Sequence, residues 1–241
     1  MIIRSNENGN MKEKALLSNP GMTLIELLIA MAVGSIIMAA IYTVYISQVQ
    51  GQATQEAALE MQQGLRAALS IMEREIRTAG ADPSNAAGAG IITAEVDQFH
   101  FTHDITGGDD FGMDSFDGRT DGPNENIRYA INNAGHLGRD TGGGLQSVLE
   151  NVDALNFVYL NRTGNVMAAP VTGLARNNIR KVQVTIVTRY GMSRRGMLRA
   201  HTDTTVYRNQ QGDIILPAQN DTFRRLMMTT TITCRNMALG D

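Results

Sequence analysis

The chain is poor in cysteine, tryptophan and proline, and each scarcity narrows what it can be. Its single cysteine, Cys234, rules out a disulfide within the chain. A lone thiol in a strand-like run reads as a small apolar residue rather than a nucleophile. There is no tryptophan, and aromatics make up 5% of the residues, so indole stacking platforms are absent. The net charge of −3 is too mild to attract nucleic acid by electrostatics alone. No glycine-rich phosphate loop, G-x-S-x-G or H-E-x-x-H occurs, and no Ser, His and Asp spacing suggests a triad. The expectation is therefore a protein without catalysis. At 241 residues there is room for one sizeable domain and an extra element.

The apolar residues are concentrated near the N-terminus. Leu27 to Ile46 is a run of 20 residues without a charge, and no second run of this kind exists. As a helix it would span ~30 Å, the thickness of a bilayer core. Arg4, Lys12 and Lys14 precede it, which predicts a cytoplasmic N-terminus and export of everything beyond residue 47. Met11 heads a normal short leader of its own, "MKEKALLSNPG", so translation could begin at Met1 or at Met11. A secretory signal carries its small-residue cleavage site after the apolar core. Here the small residue, Gly21, comes before it. Cutting at Gly21 would remove the charged leader and leave the apolar helix attached, with Met22 as the new N-terminus. Glu26 then stands one turn into the span, where a carboxylate costs about 2.5–3.5 kcal/mol on insertion scales and calls for a compensating role.

Gly21 followed by "MTLIELLIAM" resembles the prepilin signature of type IV pilins and type II secretion pseudopilins, with Met22 where phenylalanine is commonest. The resemblance implies cleavage after Gly21 by a membrane prepilin peptidase and methylation of the new amino group on Met22. It also implies an assembly role for Glu26, whose carboxylate would neutralise the Met22 amine of its own or an adjacent subunit. Two looser stretches, "MEREIRTAGADP" from Met72 and the closing "RRLMMTTTITCRNM", are similar to PilW-type minor pilins and pseudopilin J.

Helical periodicity continues past the span. Ala58, Met61, Leu65, Ala68, Met72, Ile76 and Ala79 form one apolar stripe, and Glu73 and Arg77 are spaced for an i,i+4 pair. No proline lies between Met22 and Ala81; Gly80 and Pro83 then mark the stop. A helix over 22–79 would be ~87 Å long, its second half packing on a globular domain or, alternatively, forming a coiled-coil stalk. Beyond residue 90 the period becomes two in "QFHFT", "NIRYAIN", "ALNFVYL", "RKVQVTIVTRY" and "RLMMTTTITCRN", the mark of half-buried antiparallel strands.

Three polar constellations remain. His100, His103 and Asp104 form H-x-x-H-D, but in a strand residues three apart point to opposite faces, so exposed strand histidines are expected rather than a metal site. From Asp104 to Glu125 seven acids face only Arg119, a local charge of −6. Asp117, Asp121 and Glu125 keep part of a calcium-loop spacing, while Arg119 and Arg128 fall where acids should be. Calcium binding and a solvated loop are the two readings. Arg176 to Arg208 holds eight basic residues and one acid, Asp203, without a known binding motif; a solvent face is expected there, and nucleic acid is disfavoured.

These readings combine into an α+β chain of type IV pilin-like class, a long N-terminal helix packed on antiparallel sheet. Residues 1–21 would be a cleaved leader, 22–79 the helix with 22–46 in the membrane, and 80–241 the exported domain. The resemblance implies a minor type IV pilin that helps initiate or join pilus assembly, anchored by a single pass in the inner membrane and then built into the pilus. Its partners would be the prepilin peptidase and other minor and major pilins. The rivals are a type II secretion pseudopilin and a membrane-anchored binding domain that never polymerises.

Overall fold

The computed structural model describes residues 21–105, 116–190 and 201–238. The chain divides into two units, Met1–Gln48 and Val49–Asp241. One helix, α1 (Leu24–Arg77), supplies all but residues 21–23 of the described part of the first unit and opens the second.

In the first unit the apolar residues of α1 are exposed on every side, from Leu24 at 76% to Tyr45 at 59%. The few polar groups are consumed by the helix itself: the Ser35 hydroxyl donates to the Ala32 carbonyl at 2.7 Å and Thr43 to Ala39 at 2.9 Å. Such a surface suits lipid or other helices, and α1 is long and apolar enough to cross a membrane.

In the second unit the same helix is one-sided. Leu65, Ala68, Leu69, Met72 and Ile76 are buried, matching the predicted stripe with Leu69 added, while Ala58 and Met61 are only half-buried. The helical assignment ends at Arg77 rather than Ala79. Its last turn tightens, with Ala79 N–H donating to Ile76 at 3.2 Å and Ala81 N–H to Thr78 at 2.9 Å. Gly80 adopts φ +76°, the left-handed conformation that closes a helix without a Cβ clash. Glu73 and Arg77 form the expected i,i+4 ion pair.

Two antiparallel sheets follow. The first is a five-stranded meander in chain order: β1 (Ile91–Ala94), β2 (Phe99–Thr102), β3 (Asn126–Ile131), β4 (Leu137–Asp140) and β5 (Gln146–Leu149). The second, built from β6 (Val152–Leu160), β7 (Val166–Met167), β8 (Lys181–Tyr190) and β11 (Arg224–Thr233), has the order β11-β8-β6-β7. Phe99, Phe101, Phe157 and Tyr159 meet the buried helix stripe in one core, with Phe99 ring centroids 5.3–5.8 Å from the other three. Each buried large side chain of this kind contributes about 1.5–3 kcal/mol.

A hairpin, β9 (Tyr207–Arg208) with β10 (Ile214–Leu216), lies against β6, where Leu216 packs on Ala154 and Val187. Arg225, its side chain 2% exposed, fastens this region by binding Asp153 at 2.6 Å, Asp203 at 3.1 Å and Asp221 at 2.6 Å. The basic stretch meets the expected solvent face only in part: Lys181 and Arg208 are exposed, whereas Arg189 pairs with Asp153 and Arg180 is buried just before β8. Arg194, Arg195 and Arg199 lie outside the described residues. A second hub ties α1 to the meander: Glu75 accepts from the Tyr129 hydroxyl and from Arg139 Nε at 3.0 Å.

Candidate functional site

The N-terminal stub is built from three residues. Gly21, Met22 and Thr23 precede the helix without regular structure, and Met22 is 71% exposed. The Gly21–Met22 peptide bond thus lies in open, non-helical chain, the form a protease can engage, and nothing crowds the glycine.

Thr23 is the residue on which α1 starts. Its hydroxyl accepts the Glu26 N–H at 3.3 Å, and Glu26 Oε2 in return accepts the Thr23 N–H at 3.3 Å and the Thr23 hydroxyl at 3.4 Å. This reciprocal capping box satisfies two of the amides that a helix start leaves orphaned. It also sets a negative charge against the positive end of the helix dipole, typically worth about 0.3–1 kcal/mol. The carboxylate is thereby accommodated within its own chain. Sequence reasoning missed Thr23 as a functional partner, although T-x-x-E ahead of an apolar run signals such a cap.

The acids read as a calcium loop do not converge. Asp121 is bound by Arg119, with Nε at 3.0 Å, and this guanidinium holds its carboxyl below the usual carboxylate range. Asp117 Oδ1 accepts the Arg119 N–H at 2.9 Å and stays exposed. Glu125 is fully buried, its oxygens taking the Ile105 N–H at 3.0 Å and the Gly122 N–H at 2.8 Å. Among the described residues no three acid, histidine or cysteine side chains gather as metal ligands. Asp109, Asp110 and Asp114 lie outside the described residues.

The histidines differ in part from expectation. His100 is half-buried and contacts Asn126, but His103 is buried, its ring bridging the Thr78 hydroxyl at 2.7 Å and the Asn124 carbonyl at 2.7 Å. It lies just past β2, where the chain passes under the end of α1, so strand alternation no longer governs it. Cys234 is fully buried immediately after β11, and burial pushes its thiol up to about 12.

Residues 18–42 match the prokaryotic N-terminal methylation motif. Among solved structures the chain is similar to a type IV-like pilin from Thermus thermophilus, with 16% identity and a TM-score of 0.46, covering 74% of this chain and 98% of that one. No curated protein matches it. The motif spans Gly21, Met22, the capping box and the start of the exposed apolar helix.

Proposed function

We propose that this chain is a minor type IV pilin: a structural subunit, not an enzyme, that is cut after Gly21, methylated on Met22 and incorporated into a pilus. The observation that carries the reading is the coincidence of the methylation motif at 18–42 with an accessible Gly21–Met22 bond and a helix whose apolar side chains are exposed all round. Membrane residence before assembly, and helix–helix burial afterwards, both use that surface. The prepilin peptidase and other pilins are the partners the reading requires.

Glu26 has two duties in this scheme. Within the chain it caps α1 through Thr23. In the assembly it neutralises an amino group created by cleavage at Met22, its own or a neighbour's, and so sets where an incoming subunit docks. An amine and a carboxylate in low dielectric attract strongly, while either alone is penalised.

Substitution separates the duties. Glu26→Gln retains a side chain able to complete the capping box but loses the charge. It should be inserted and cleaved as wild type, yet give fewer pili and fail to co-purify with other pilins, as should Glu26→Ala. Wild-type piliation and co-purification of Glu26→Gln would show that the charge has no assembly role.

A further inference from the structure

We propose that Asp104, at the junction between the end of α1 and the acidic segment, anchors a calcium site that lies apart from the residues read as a calcium loop. The inference does not depend on the assembly role.

Asp104 is held firmly. Its N–H donates to the Ala81 carbonyl at 2.7 Å, while Gly80 N–H bonds Thr102 at 3.0 Å, so the chain leaving β2 is stitched to the turn that ends α1. The side chain is completely buried. Oδ2 accepts from the Ser84 hydroxyl and from Gly118 N–H, both at 3.2 Å. Oδ1 is buried with no hydrogen-bond partner among the described residues. A buried carboxylate oxygen left this way carries a large desolvation penalty.

The nearby hydroxyl does not relieve it. Ser84 has a single hydroxyl proton, yet its oxygen lies 3.0 Å from Asp82 Oδ1 as well as 3.2 Å from Asp104. It can serve only one of the two. Fully buried Glu125 is satisfied by backbone N–H groups instead. The neighbouring cations are committed elsewhere: Arg119 to Asp121, Arg128 to Asp140, Arg139 to Glu75. His103 turns its ring to Thr78 and Asn124. Negative charge thus gathers near an orphaned oxygen that no side-chain cation among the described residues meets.

A hard divalent cation meets both needs. Calcium accepts 6–8 oxygens in a flexible shell that mixes carboxylates, carbonyls, hydroxyls and water, so it does not require three converging carboxylates. Zinc would require histidine or cysteine ligands. Asp104 Oδ1 is the anchor; the Ser84 hydroxyl meets the same carboxylate at Oδ2, and Asp82, which also takes the Ala87 and Gly88 N–H groups, stands on the far side of that hydroxyl. Gly118, at φ +73°, brings its peptide against this turn, where an added Cβ would meet Ala86 at 3.1 Å and its N–H reaches Asp104 Oδ2. None of the acids read as a calcium loop belongs here, since Asp117 is exposed and takes the Arg119 N–H, Asp121 is paired and Glu125 is satisfied.

The test uses the full chain in detergent, stripped with chelator and titrated with calcium chloride by calorimetry and thermal unfolding. Binding at roughly 10⁻⁴–10⁻³ M, with a rise in Tm, is expected. Asp104→Asn should weaken it at least ~10-fold while leaving the calcium-free Tm unchanged or higher, because an unpartnered charge has gone. Asp121→Asn should bind as wild type. Hydrogen exchange on the wild-type chain needs no variant: calcium should slow exchange around residues 80–88 and 103–105 and leave 201–223 unchanged. No calcium-dependent heat or Tm change at tenfold above that range, protection elsewhere only, or an Asp104→Asn titration identical to wild type would each overturn the proposal.

Discussion

Glu26 and Arg225 illustrate opposite ways of carrying a charge where water is scarce. Glu26 uses a helix start: two Thr23 donors and the dipole surround it, so a carboxylate at the edge of an apolar span has local support before any partner arrives. Arg225 uses three carboxylates, and its guanidinium is held above its ordinary range by its hydrogen bonds to Asp221, Asp153 and Asp203 against the cost of burial. Burial pushes Asp203 up, but the Thr205 amide and hydroxyl, Arg225 and Tyr207 outweigh it and hold the carboxyl at about 2. A carboxyl depressed on folding contributes stability above its unfolded pKa of 3.8 and loses it as pH falls through the folded value. Thermal unfolding should therefore show Tm dropping between about pH 4 and pH 2, with a shallower drop in Asp203→Asn. Removing the hub outright, as in Arg225→Met, strands three acids and should cost about 3–5 kcal/mol in denaturant unfolding. At this scale the sequence was least legible. Arg225 stands in an alternating run with nothing to mark it as a hub, and Asp153 lies 72 positions before it, so only the β6–β8–β11 register and the bridge between Asp203 and Asp221 bring the four together.

The elements were more legible, because periodicity reports which faces are buried. The helix stripe and the five alternating runs correspond to α1, β2, β3, β6, β8 and β11. The short strands β1, β4, β5, β7, β9 and β10 were not foreseen: two to four residues are too few to display a period, and "LGRD" holds one apolar side chain. Their absence from the sequence reading also hid the division into two sheets. Leu65 and Leu59 test what α1 does in the second unit, since Leu65 is 0% and Leu59 is 55% exposed. Leu65→Ala should cost about 2–5 kcal/mol in denaturant unfolding, the usual range for a buried leucine. Leu59→Ala should stay within about 0.5 kcal/mol. Equal losses at the two positions would mean that the helix is not seated by its buried stripe.

For the whole molecule, the N-terminal residues and the sheet domain speak to different questions. The sheets and the buried half of α1 give the second unit its fold, whereas the functional reading rests on a short segment at the front of the chain. That segment was legible in sequence because it needs no tertiary structure: a charged leader, Gly21, Glu26 and an uncharged run occur in unbroken order. The capping box adds the local physics that lets Glu26 stand there. Everything proposed for assembly depends on the leader being removed at Gly21. The most direct test is the N-terminal mass of the protein extracted from membranes of piliated cells, beside Gly21→Val. Wild type should begin at Met22 and carry one N-methyl group, a net gain of CH2 over the free amine, and Gly21→Val should retain the leader. Wild-type protein that still carries Lys12 and Lys14 would contradict the account.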